Sequence, residues 1–150
     1  MIDTKELRRG NILLLSGNIV RVAEIDTNHV CLMDIYRPTN NPQYPFEYNP
    51  ISAADVNLQP YYLTEERMRI LMGVIPTEHG RAFRFTRTAT YLIYPDGEGA
   101  FFIGLDNKGQ LQRVTPKPFS TLHELQNIHF SMYGTEIEFE EVRLSTALRF

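Results

Sequence analysis

Asn11-Ile12-Leu13-Leu14-Leu15-Ser16-Gly17-Asn18-Ile19-Val20-Arg21-Val22-Ala23-Glu24-Ile25 is a pair of apolar runs separated by Ser-Gly-Asn. Branched and aliphatic side chains suit extended backbone, and small polar residues between them suit a tight reversal. In the second run, alternation places Ile19, Arg21, Ala23 and Ile25 on one face and Val20, Val22 and Glu24 on the other. Asp26-Thr27-Asn28 reads as the next turn, and His29 to Ile35 as a third strand. Three short strands joined by tight turns make a β meander, the expected start of a small SH3-like or OB-like barrel. Upstream, Asp3 to Arg9 reads as a helical turn or lead-in arm that stops at Gly10.

Downstream, residues 38–60 hold five of the nine prolines, Pro38, Pro42, Pro45, Pro50 and Pro60. Proline cannot donate to a sheet ladder and biases the residue before it away from helix, so a long loop is expected here. Tyr44, Phe46 and Tyr48 alternate within it, which fits an extended piece packed by its own aromatics or a recognition surface. Only Glu47 and Asp55 are charged, so a partner met there would be held by stacking and hydrogen bonds.

Two helices are marked by their ends. Thr64 is placed to cap a helix that begins with Glu65 and Glu66, Leu63 and Met68 have the spacing of a hydrophobic staple, and Gly73 is the expected stop. The second helix follows Pro118. Thr121 and Glu124 have capping-box spacing, Leu122, Leu125, Ile128, His129 and Met132 form the apolar stripe, and Gly134 ends it. Strands are expected over Arg81 to Arg87, Thr90 to Tyr94, Phe101 to Leu105 and Gln110 to Thr115, with a half-buried one where Ile137 and Phe139 alternate with Glu136, Glu138 and Glu140. The order of strands, helix, strands, helix and strand predicts an α+β fold: the meander, a second antiparallel sheet region and two short packed helices.

The 150 residues carry 15 Lys plus Arg against 18 Asp plus Glu, with 43% apolar and 11% aromatic residues. That length fits one domain over 1–150, and a chain of this size buries enough surface to need no staple. Aromatic content and low net charge argue against disorder. No apolar run is long enough to span a bilayer, and the polar start Met1-Ile2-Asp3-Thr4-Lys5-Glu6 is unlike a secretory signal, so a cytoplasmic location is expected. Cys31 is the sole cysteine, which excludes an internal disulfide and a CxxC site, and it reads as a small buried hydrophobe.

Three stretches in order resemble one family. Lys5-Glu6-Leu7-Arg8-Arg9-Gly10-Asn11, Leu58-Gln59-Pro60-Tyr61-Tyr62-Leu63-Thr64-Glu65-Glu66 and Leu122-His123-Glu124-Leu125-Gln126-Asn127-Ile128-His129-Phe130 through Gly134 are similar to the "ELRIGN", "PIPLTEE" and "HQLQNLYFALTG" segments of small uncharacterised phage and prophage proteins of Bacteroidetes. Here Tyr61-Tyr62 replaces the small apolar pair usual before Leu63-Thr64, and Met72-Gly73-Val74 stands near the family's "LGF". The resemblance implies a phage or mobile-element accessory protein and carries no activity with it.

Candidate chemistry is sparse. His123, Gln126, Asn127 and Phe130 share a helix face at i, i+3, i+4 and i+7, which reads either as a polar groove for a peptide or nucleotide or as Gln126 and Asn127 bonding a neighbouring backbone with His123 at the rim. Arg81, Phe83, Phe85 and Arg87 would share a strand face, the combination of cations and stacking rings that single-stranded nucleic acid needs, with Lys108, Arg113 and Lys117 extending the basic side. Amphipathic strands also bury their Phe residues and splay Arg at the ends, which opposes that reading. His29 and Cys31 are one ligand pair without a second, so no metal site and no cofactor is expected. The GxSxG, P-loop, GxGxxG and HExxH motifs are all missing, and Gly97-Glu98-Gly99 lacks a following helix.

The reading favoured is a non-catalytic protein that binds a host or phage macromolecule through residues 38–60 and the exposed side of the second helix, a protein partner being the expected class. The alternative is a nucleic-acid-binding module built on the Arg/Phe face, and the third is a small-molecule binder or enzyme with a pocket near His123. The tail from Leu144 to Phe150 is read as docking on the body or on a second copy.

Overall fold

The structure, a computed structural model, describes residues 2, 4–25, 29–38, 46–52, 57–84 and 91–150, with backbone only for Thr4, His29, Glu141 and residues 31–38 and 46–52. It is α+β, with two antiparallel sheets and three short helices, and the chain divides into two compact units.

The first unit comprises Met1–Tyr62 and Thr121–Glu141. A 3-10 turn at Thr4–Glu6 leads to β1 (Ile12–Leu15), β2 (Asn18–Ile25) and β3 (His29–Pro38). Leu13 faces Val20 and Leu14 faces Ile19 across the first hairpin. Ser16 and Gly17 turn it at φ 49° and 83°, the left-handed pair that a two-residue hairpin demands. A bulge between Val22 and Glu24 leaves Ala23 without a partner in β3, so the strict alternation expected for β2 ends there. Leu7, Leu13, Val20, Val22, Val30 and Leu58 form the core of this unit.

The proline-rich stretch corrects the loop expected over 38–60. It contains β4 (Phe46–Ser52) and β5 (Leu58–Pro60), which form the two edges of a sheet ordered β4-β3-β2-β1-β5. Edge strands are where a missing donor is tolerated, because one side of the backbone faces no neighbour. Pro50 sits within edge strand β4 opposite Cys31, and Pro60 ends edge strand β5 opposite Leu13.

The second unit comprises Leu63–Ser120 and Val142–Phe150. α1 (Glu65–Leu71) starts as expected, with Thr64 Oγ1 accepting from Arg67 N at 3.2 Å and both staple residues, Leu63 and Met68, buried. It stops one residue before the expected Gly73, which instead opens β6 (Gly73–Thr77). Then β7 (Gly80–Arg84), β8 (Leu92–Pro95), β9 (Phe101–Asn107) and β10 (Gln110–Arg113) follow as a simple meander in sequence order. One face carries Phe83, Ile93 and Ile103 in register. The other carries Ala82, Tyr94 and Phe102, and Tyr94 and Phe102 stack at 5.6 Å. Gly104 leaves room for both rows of side chains: a Cβ there would lie 2.7 Å from Leu111 Cδ1, which would have to shift, and 3.0 Å from the Tyr94 ring.

α2 (Leu122–Tyr133) returns the chain to the first unit and packs on β1. Thr121 Oγ1 accepts from Glu124 N at 3.4 Å and donates to Glu124 Oε1 at 2.6 Å; Gly134 closes the helix at φ 69° with its N–H on Phe130 O. Leu122, Leu125 and His129 are buried as expected, whereas Met132 is exposed. Residues 135–140 form no strand: Ile137 is buried between exposed Glu136 and Glu138, but the segment joins no ladder. Alternation there reports burial, not pairing. α3 (Glu141–Ala147), absent from the sequence reading, buries Leu144 and Ala147.

Candidate functional site

The α2 face singled out from the sequence is a clamp on the segment before β1. Gln126 Oε1 accepts from Ile12 N at 2.8 Å, and Gln126 Nε2 donates to Gly10 O at 3.0 Å. Asn127 Oδ1 accepts from Asn11 Nδ2 at 2.8 Å and from Arg8 Nε at 3.2 Å, while Asn127 Nδ2 donates to Glu6 O at 2.7 Å. One helical turn thus satisfies backbone groups at positions 6, 10 and 12 that no strand reaches. Both side chains are engaged within the chain, in line with the backbone-bonding reading of this face.

Arg8 completes the clamp, and the sequence reading missed it. Its guanidinium pairs with both carboxylate oxygens of Glu136, Nη2 to Oε2 at 3.1 Å, and also donates to Arg9 O at 3.0 Å. It lies 4.1 Å from the Phe130 ring centroid. Phe130 therefore serves as the floor for an internal cation, yet remains 39% exposed. Gly10 stands at φ 94°, with the Glu136 carboxyl 3.3 Å from where a Cβ would lie. The one available signal was the motif pair itself: Arg8-Arg9-Gly10-Asn11 and Gln126-Asn127 are the parts that meet.

His123, expected at the rim, is buried instead, with only 3% of its surface exposed. Neither ring nitrogen has a hydrogen-bond partner; Nε2 is 4.0 Å from Glu6 Oε2. Burial lowers its pKa below the ordinary 6.5, against the opposing pull of Glu124 and Glu6. The ring forms part of the wall of a pocket of about 330 Å³ together with Glu6, Gln59, Tyr62, Thr121 and Glu124. A second pocket of about 360 Å³ is lined by Gln126 together with Gly10, Arg21, Glu136 and Phe139. His129 is also buried and shifted down by desolvation, with Glu136 opposing; its Nε2 is 3.4 Å from Thr135 Oγ1.

At the far end of α2, Phe130, Met132 and Tyr133 are 39%, 41% and 41% exposed, and Tyr133 packs on His129 at 4.9 Å between ring centroids.

The other sequence candidates fare differently. Phe83 is 1% exposed and meets Phe101 edge-on at 6.2 Å, so the strand buries its ring and removes it from any base-stacking surface. Arg81 is exposed, while Phe85 and Arg87 lie outside the described residues. Phe46 and Tyr48 fall in β4 with backbone only, and Tyr44 lies outside the described residues, as does the side chain of Cys31. Among the described residues no group of three or more His, Cys, Asp or Glu is placed to hold a metal ion, and no helix is long and apolar enough to cross a membrane. Comparison of the chain with family models, with curated proteins and with solved structures gives no match.

Proposed function

We propose that the protein is a non-catalytic binding module, a cytosolic accessory protein of a phage or mobile element that engages a protein of its host or of the phage. The observation that carries this reading is the apolar end of α2, where Phe130, Met132 and Tyr133 keep about two-fifths of their surface in water. Large apolar side chains grouped at one helix end, beside a rim of exposed glutamates at 136, 138 and 140, are what a protein partner buries. The strand order β4-β3-β2-β1-β5 supports the SH3-like reading of the first sheet, since it brings the last strand of the set beside the first. The three segments on which the phage resemblance rests also come together: Arg8 and Asn11 bond Asn127, and Leu122 N donates to Tyr61 O at 2.9 Å.

The test is recovery of the tagged protein from host lysate, with and without nuclease, beside the variant Met132→Glu. Met132 is exposed, and a surface charge of this kind is expected to leave the fold intact. A stoichiometric, nuclease-resistant partner that the variant loses is the expected outcome. Recovery of nucleic acid alone, or an undiminished partner with Met132→Glu, would overturn it.

A further inference from the structure

We propose that the pocket at the N-terminal end of α2 is a recognition site for a single cationic donor group, a guanidinium or an ammonium. The His123 imidazole is buried with both nitrogens unpaired, an unfavourable arrangement, because each such atom has given up its hydrogen bond to water and gained none in return. His123 keeps it in a wall that also holds Gln59, Tyr62 and the carboxylates of Glu6 and Glu124. Burial holds the ring neutral at pH 7, so one nitrogen is an acceptor with nothing to accept from.

The charges around it choose the ligand. Glu6 and Glu124 supply two negative groups, and among the described residues no lysine or arginine lines the pocket. Glu124 Oε1 is engaged by Thr121, whereas the Glu6 side chain is 64% exposed and 4.0 Å from His123 Nε2, close enough for one bound group to reach both. An anion would meet two carboxylates there. A planar guanidinium or an ammonium has several donors, which can serve Glu6 and the His123 acceptor together. A volume near 330 Å³ is at the small end for ligand pockets, which fits one side chain or small amine rather than a nucleotide. This site is separate from the apolar end of α2, so either assignment can fail alone.

The test is a titration of the intact protein at pH 7.5 with ethylguanidinium, ethylammonium and uncharged ethylurea, read by the NMR signals of the His123 ring. Saturable shifts with a cation at millimolar concentration, roughly 4 kcal/mol of binding, and none with ethylurea are expected. Glu6→Gln, an exposed and conservative change, should weaken binding about fivefold by removing one charge-assisted contact. Lowering the pH toward 5 should weaken it further, as the His123 ring takes up a proton and loses its acceptor. An arginine-containing tripeptide with blocked ends separates the sources: tighter binding than ethylguanidinium assigns the group to a polypeptide, and equal binding assigns it to a small amine. No saturable shift, an equal response to ethylurea, or full affinity in Glu6→Gln would overturn the proposal.

Discussion

The side-chain amide of Asn11 donates to Oδ1 of Asn127 at 2.8 Å, joining the residue before β1 to the middle of α2 across 116 positions of sequence. Asn11 is fully buried, and its own Oδ1 accepts from Arg8 N at 2.6 Å. The residue is thus an adaptor that needs both a donor and an acceptor. Asn11→Asp keeps the acceptor and deletes the donor, placing a carboxylate against Asn127 Oδ1 at a buried position. A loss of about 2–3 kcal/mol is expected, seen as a lower urea midpoint with an unchanged slope.

Gln126 offers a sharper version of the same test. Gln126→Leu preserves volume and helix propensity but strands Ile12 N and Gly10 O. The Ile12 amide is buried, so its lost hydrogen bond is not replaced by water. The expected cost is about 2–4 kcal/mol, and native-state hydrogen exchange should show the Ile12 amide losing protection before the rest of the β1–β2 hairpin.

Gly10 and Gly134 separate backbone strain from crowding. Both have positive φ, 94° and 69°, but a Cβ at Gly10 meets the Glu136 carboxyl at 3.3 Å, whereas one at Gly134 meets nothing within 4 Å. Gly134→Ala should cost about 1 kcal/mol, the penalty for a left-handed position. Gly10→Ala should cost more, and the excess should shrink in the Glu136→Ala background, where the crowding carboxyl and its pairing with Arg8 are gone. Thermal denaturation of the four proteins measures this coupling.

Acid should weaken the fold through His123. Its folded pKa lies below the unfolded value of 6.5 because burial disfavours the charged ring. The unfolded chain therefore binds more protons between those two values, and stability rises with pH there. The contribution is complete above about pH 6.5 and is lost as pH falls through the folded pKa. Buried His129 acts in the same direction. Urea midpoints from pH 7.5 to 5 should fall in the parent protein, and fall less in His123→Gln, which carries no titrating group.

The elements readable in the sequence were those whose signals are local. The turns at Ser16-Gly17 and Lys108-Gly109, the Thr64 and Thr121 caps and the Gly134 stop each depend on residues within one or two turns of chain. What escaped depended on place in the sheet or on distant partners. β6 carries Pro76 and a half-exposed Val74, an unpromising strand that forms because β7 pairs with it along five positions. Residues 136–140 show the converse, alternation without a ladder. On α2 the polar face was legible as a face, but its partners lie more than 110 residues away, so a groove and a clamp read alike. His123 gave no local sign of burial, since its neighbour Glu124 and its position beside a cap both resemble a surface.

The edge strands provide the last prediction. Read as an insertion, residues 38–60 could be shortened without harm to folding. In the sheet, however, β5 pairs with β1 through Leu13↔Pro60 and Leu15↔Leu58, and Leu58 is 3% exposed in the core with Leu13 and Val20. β4 likewise covers β3 from His29 to Met33. Replacing 38–60 with a short Gly-Ser linker would remove both edges and leave β1 and β3 with unpaired backbone on their outer sides. The loss of Leu58 alone is worth about 2–5 kcal/mol, a large part of the stability of a domain this size. The shortened protein should therefore show no cooperative transition for the first unit by circular dichroism. A first-unit transition as cooperative as that of the parent would show that β4 and β5 are dispensable to the sheet.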